Sequence, residues 1–171
     1  MEYFFILLGV VFIIAIIIYK ENKFKNDISI LLEDIAKEYK FKVEKAVKKS
    51  YDYKLIKEDI TLLVSVVKVP SNSAITINSK NTWSLTWGGS SKNPGRAKPN
   101  QRYMDELTSF LNYKIKDNKV EKKVIILYKE TEKVQKYLNE SELEIINTGD
   151  LCYDYYVITY KDFKDCFRKI L

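Results

Sequence analysis

The side chains that can do chemistry in this chain are defined first by a gap: it has no histidine. Ser-His-Asp and Cys-His triads, His-ligated zinc and imidazole acid–base catalysis are therefore excluded. Cys152 and Cys166 are the only cysteines, without the closely spaced partners of a zinc site or a disulfide framework, and they read as packing residues. Gly88-Gly89 and Gly95 fit neither phosphate-loop fingerprint. Ser79-Lys80 is a poor nucleophile–base pair, because neighbours on a strand face opposite ways. The chemistry left is that of carboxylates with a metal ion and a lysine, or of plain charge. A metal-dependent nuclease needs two or three acids converging on Mg²⁺, with a lysine to orient water or offset developing charge.

The charge itself is unevenly placed. From Ile60 to Met104, 45 residues, there is no Asp or Glu, while Lys68, Lys80, Lys92, Arg96, Lys98 and Arg102 are all present. The chain carries 29 basic and 23 acidic residues, so its formal net charge of +6 falls entirely within this stretch. Such a stretch attracts anionic polymers or an anionic membrane face. Lys80, Lys92, Arg96, Lys98 and Arg102 are the expected phosphate contacts, with Trp83 and Trp87 as stacking platforms. The alternative for the two tryptophans is the inner face of a strand, and for the cations a solvated surface.

These groups must be positioned by the following elements. Phe4–Ile18 is an unbroken run of 15 apolar residues bounded by Tyr3 and Tyr19, the length and composition of a membrane span at residues 3–19. Lys20, Lys23 and Lys25 follow it, and the positive-inside bias places residues 20–171 in the cytoplasm as one domain. Asp27–Lys49 has the spacing of an amphipathic helix. Asp52–Ile56, Thr61–Val69 and Ala74–Asn78 read as extended, the last two as a hairpin about Pro70-Ser71-Asn72-Ser73. Thr82–Trp87 alternates as a strand, and Pro99-Asn100 opens a helix through Asn112. Val124–Tyr128 reads as a buried central strand, Thr131–Asn139 as a helix, Leu143–Asn147 and Tyr155–Tyr160 as strands, and Phe163–Ile170 as a closing helix. The expected class is α/β or α+β with a mixed sheet, in the order α-β-β-β-α-β-α-β-β-α.

Asn78-Ser79-Lys80-Asn81 closing a strand, the tryptophan strand after it, and Asn93-Pro94 and Gln101 leading a helix together resemble the nuclease-related domain. That resemblance implies a restriction-endonuclease-like (PD-(D/E)xK) fold, in a family whose members include single-pass membrane proteins. It makes Lys80 the motif lysine and Asp59 the nearest upstream aspartate, hence the expected catalytic pair, with Glu33 or Glu38 in place of a helix glutamate should an active metal-dependent nuclease be assembled. It also places Asn78, an amide, where the motif has an acid, and an amide is a poorer metal ligand. The implied activity is binding of DNA, RNA or another polyanion without efficient cleavage, with no cofactor beyond Mg²⁺ or Mn²⁺ should cleavage survive. The expected partners are the lipid bilayer and nucleic acid, or, in the alternative of a pure interaction module, anionic lipid headgroups.

Overall fold

The computed structural model describes residues 2–47, 49–88, 99–115, 120–139 and 142–171. It divides into two compact units, Met1–Phe41 and Lys42–Leu171.

The first unit is one helix, α1 (Glu2–Tyr39). Leu, Ile, Val and Phe fill its first half, and every side chain from Tyr3 to Lys20 is exposed. This half is long and apolar enough to cross a membrane, with a mean hydropathy of 2.6 and none of it buried. In the second half Ile28, Leu31, Leu32 and Ile35 are withdrawn from solvent at the expected helical spacing. The helix stops at Tyr39, ten residues before the Lys49 expected from periodicity. Lys40 turns into the left-handed region (φ 61°), and the Phe41 N–H reaches the Ala36 carbonyl at 3.0 Å. That is a Schellman stop built without glycine, a signal absent from apolar spacing.

The second unit is a mixed α/β domain of two sheets. Its elements are β1 (Lys42–Lys45), β2 (Tyr53–Lys57), β3 (Ile60–Lys68), β4 (Ser73–Ser79), β5 (Thr82–Trp87), β6 (Asn100–Tyr103), α2 (Asp105–Leu111), β7 (Val120–Tyr128), β8 (Thr131–Asn139), β9 (Glu142–Ile146), β10 (Leu151–Cys152), β11 (Tyr155–Thr159) and α3 (Phe163–Ile170). One sheet has the order β1-β2-β3-β7-β11-β10, the other β6-β5-β4-β8-β9. In the first, β3, β7 and β11 run parallel, and Leu62, Leu63, Val64 and Val67 of β3 and Val124, Ile125, Ile126 and Leu127 of β7 are buried, on both faces, as parallel strands require. The core between the sheets gathers Leu63, Val67, Ile75, Ile77, Trp83, Leu85, Leu107, Phe110, Ile125 and Leu127.

Three sequence expectations change. Thr131–Asn139 is a strand rather than a helix: β8 pairs with β4 on one side and β9 on the other, so its backbone is satisfied by neighbours. Over nine residues, Val134 and Leu138 match a helical spacing by chance, and pairing overrides it. The expected β3–β4 hairpin does not form; the turn at Pro70–Asn72 instead carries the chain from one sheet to the other. β4 pairs in a hairpin with β5, about Lys80-Asn81. Residues 100–103 are an edge strand antiparallel to β5, and the helix begins only at Asp105, where Asp105 and Glu106 supply first-turn acids.

Candidate lysine–aspartate site

Lys80 sits in the β4–β5 turn. A register shift between Ile77 and Ser79 precedes it, and the Asn81 N–H bonds the Ser79 hydroxyl at 3.4 Å. The bulge turns Lys80 off the ladder and frees its side chain to reach another element. Its ammonium meets Asp154 Oδ2 at 3.2 Å. Asp154 comes from the two-residue turn between β10 and β11, opened by Tyr153 in the left-handed region (φ 56°).

The same carboxylate oxygen lies 3.5 Å from Nζ of Lys123, which points inward from the middle of β7 and is 1% exposed. Lys123 also donates to the Leu111 carbonyl at the end of α2, at 3.1 Å, and its ammonium lies over the rings of Phe110 and Tyr155 at 5.8 and 5.6 Å. Burial pushes the Lys123 amine below its ordinary value, and Asp154 only partly opposes that. Tyr155 follows Asp154; its hydroxyl donates to the Lys80 carbonyl, and burial pushes its phenol well above the usual tyrosine range. Trp83 packs edge-on against Tyr155 at 5.7 Å.

Two lysines thus share one aspartate at the rim where the β4–β5 turn of one sheet meets the β10–β11 turn of the other. The local sum is one positive charge, with Lys80 half exposed and Lys123 sealed in. One oxygen of Asp154 is buried and accepts no hydrogen bond among the described residues. The same holds for one oxygen of Glu121, two residues before Lys123 on β7 and so on the same face of the strand.

The sequence-derived residues divide as follows. Lys80 belongs to this cluster. Asn78 does not: its amide nitrogen donates to the Ser84 hydroxyl at 3.1 Å along the β4–β5 ladder. Asp59 lies exposed in the β2–β3 turn and has no ion pair or hydrogen bond with Lys80. Glu33 and Glu38 stand on α1, Glu33 accepting from Ser29. Trp83 is 1% exposed, its indole N–H without an acceptor among the described residues, so its ring fills the core instead of facing solvent. Trp87 is half buried against the same core. Arg102, on β6, is gripped by both oxygens of Glu106 at 2.6 and 2.8 Å, which holds that carboxyl below its ordinary value. Lys92, Arg96, Lys98 and Asn93-Pro94 lie outside the described residues. Among the described residues no three Cys, Asp or Glu side chains gather as metal ligands.

Lys123 and Asp154 escaped sequence reasoning. The apolar run expected as the strand begins at Val124, four residues after β7 starts at Val120, so Lys123 fell outside it. The available signal was Glu121-Lys122-Lys123 abutting an apolar run that needs a partner on both edges. No family model, no curated protein and no solved structure matches the chain.

Proposed function

We propose that this chain is a single-pass membrane protein whose mixed-sheet domain lies in the cytoplasm and binds a polyanion, with nucleic acid as the polymer. The observation that carries the reading is the concentration of the whole net charge in one acid-free stretch, in a chain whose apolar helix leaves its side chains uncovered. Lys20, Lys23 and Lys25, all exposed just after the apolar run, support cytoplasmic placement. Lys80 and Arg102 each meet a single, partly exposed acid, Asp154 and Glu106. Both can exchange that partner for a phosphate at small cost, since exposed pairs contribute about 0–1 kcal/mol. The resemblance to nuclease-related domains adds nucleic acid as the ligand class, and the amide at Asn78 adds binding without efficient cleavage.

The test is DNA and RNA binding by the full chain in nanodiscs of neutral lipid, titrated over salt with Mn²⁺ present and the products resolved on a gel. Binding with a log–log salt slope of about −3 to −5 and intact nucleic acid is the expected result. Absence of binding at low salt overturns the reading.

A second reading, a metal-dependent nuclease, is favoured by one observation: Glu121, on the Lys123 face of β7, and Asp154, in the β10–β11 turn beside Lys123, each keep a buried carboxylate oxygen without a hydrogen bond among the described residues. Cleavage that requires Mn²⁺ and disappears in both Glu121→Gln and Asp154→Asn would establish it. Anionic lipid is the remaining ligand, and binding to nucleic acid that is unchanged by Arg96→Glu/Lys98→Glu would move the basic stretch to that role.

A further inference from the structure

The three parallel strands of the larger sheet end on one side, because Lys68 pairs with Tyr128 and Thr159 with Leu127. The carboxyl ends of parallel strands are where α/β sheets take ligands, since the chain must leave the sheet there and open a crevice. A cavity of about 450 Å³ lies at this place. Tyr128, Lys129 and Glu130 line it from the end of β7, Tyr160 and Lys161 from the end of β11, and Ser71 and Asn72 from the β3–β4 connection. Its volume falls in the range of small-molecule sites, about 300–1,000 Å³. It shares no residue with the Lys80–Asp154–Lys123 cluster.

We propose that this cavity binds a nucleoside monophosphate, with the base against the Tyr128–Tyr160 pair and the phosphate at Lys129. The two rings meet edge to face, their centroids 5.3 Å apart at 69°. Both rings are half-buried and so keep part of their surface towards solvent, and a tyrosine face takes any planar base. The charge in the cavity is that of an anion site. Lys161 is held by Glu130 at 3.3 Å, while no described carboxylate pairs with Lys129. Lys129 (φ 84°) and Asn72 (φ 58°) both hold left-handed backbone, which costs a non-glycine residue free energy and persists where the surrounding structure demands it. The Ser71 hydroxyl and Asn72 amide are neutral groups of the kind that meets a sugar hydroxyl. The inference stands whether or not the basic stretch binds a polymer.

The test is equilibrium dialysis of labelled AMP, adenosine and ribose 5-phosphate against the full chain in neutral-lipid nanodiscs. AMP is expected to bind saturably and more tightly than either fragment. Tyr160→Ala should weaken AMP by about tenfold through loss of the ring. Lys129→Gln, an exposed change that leaves the fold intact, should weaken AMP by about fivefold and leave adenosine unchanged. A short oligoadenylate that displaces AMP would identify a strand end as the source of the nucleotide. Without displacement, the free nucleotide is the ligand. Failure of AMP to saturate at millimolar concentration overturns the proposal. So does ribose 5-phosphate binding as tightly as AMP, or AMP binding indifferent to both substitutions.

Discussion

Two apolar runs in this chain meet opposite fates. Phe4–Ile18 in α1 leaves its large side chains exposed, the least so being Ile16 at 37%, whereas Val124, Ile125, Ile126 and Leu127 in β7 are each at 0%. Both are built from Val, Ile, Leu and Phe or their like, so hydrophobicity does not separate them. The difference lies in how each satisfies its backbone. The helix bonds to itself and can sit in lipid with no protein neighbour. A strand cannot, and β7 takes its bonds from β3 and β11, which bring the covering layers with them. An apolar run in a self-satisfied element therefore seeks a solvent, and one in a strand seeks neighbours.

The sharpest way to break this comparison is to place the same charge in each run. Ile125→Asp should cost the domain about 5 kcal/mol, since a bare carboxylate enters a full core, and denaturant titration should find it largely unfolded. Membrane association should survive. Ile14→Asp should do the reverse, shifting insertion by about 3 kcal/mol on flotation assays while the domain's melting temperature stays put. A fall in melting temperature comparable to that of Ile125→Asp would make the helix a core element instead of a span.

The two lysines sharing Asp154 extend the same contrast between buried and exposed. Asp154→Ala should destabilise by about 3 kcal/mol, because Lys123 is left as an uncompensated buried charge. Lys123→Met, which removes the charge and keeps the volume, should be neutral or stabilise by about 1 kcal/mol. Burial lowers the Lys123 amine, so the folded chain releases that proton at lower pH than the unfolded chain does. Between the folded-state value and the ordinary 10.5 the unfolded state binds more protons, and stability from this group rises with pH. Chemical denaturation across that window should show the wild-type chain gaining on Lys123→Met; a constant gap would mean the ammonium is not destabilised by burial. The smallest effect belongs to Glu106→Gln, below about 1 kcal/mol in stability for an exposed pair. It should nevertheless release Arg102 and steepen the salt dependence of nucleic-acid binding by about one.

Much of the fold was legible where pattern and length agree. β3, β5, β9, β11 and α3 lie within a residue or two of their expected positions, the apolar run at residues 3–19 is helical inside the longer α1, and the central burial of β7 follows from its unbroken Val-Ile-Ile-Leu. What failed was short or depended on partners. β1, β6 and β10 are two- to four-residue edge strands with little pattern to read, and β8 carries a spacing that serves helix and strand alike. Of the candidate site, Lys80 was legible as a turn-adjacent cation. Its carboxylate partner stands 74 residues later, on a turn that no local signal connects to it.

The sequence by itself determined what is additive along the chain: a run apolar enough to span a bilayer, the confinement of the net charge to an acid-free stretch, and the exclusion of histidine chemistry. Tertiary structure alone decided which strands share a sheet, that Trp83 faces the core, and that Lys123 is drawn inside beside Asp154. The physical reason is that transfer free energy and net charge sum over residues. Pairing register, desolvation and ion-pair geometry instead depend on groups far apart in the chain, which meet only once the sheets have closed.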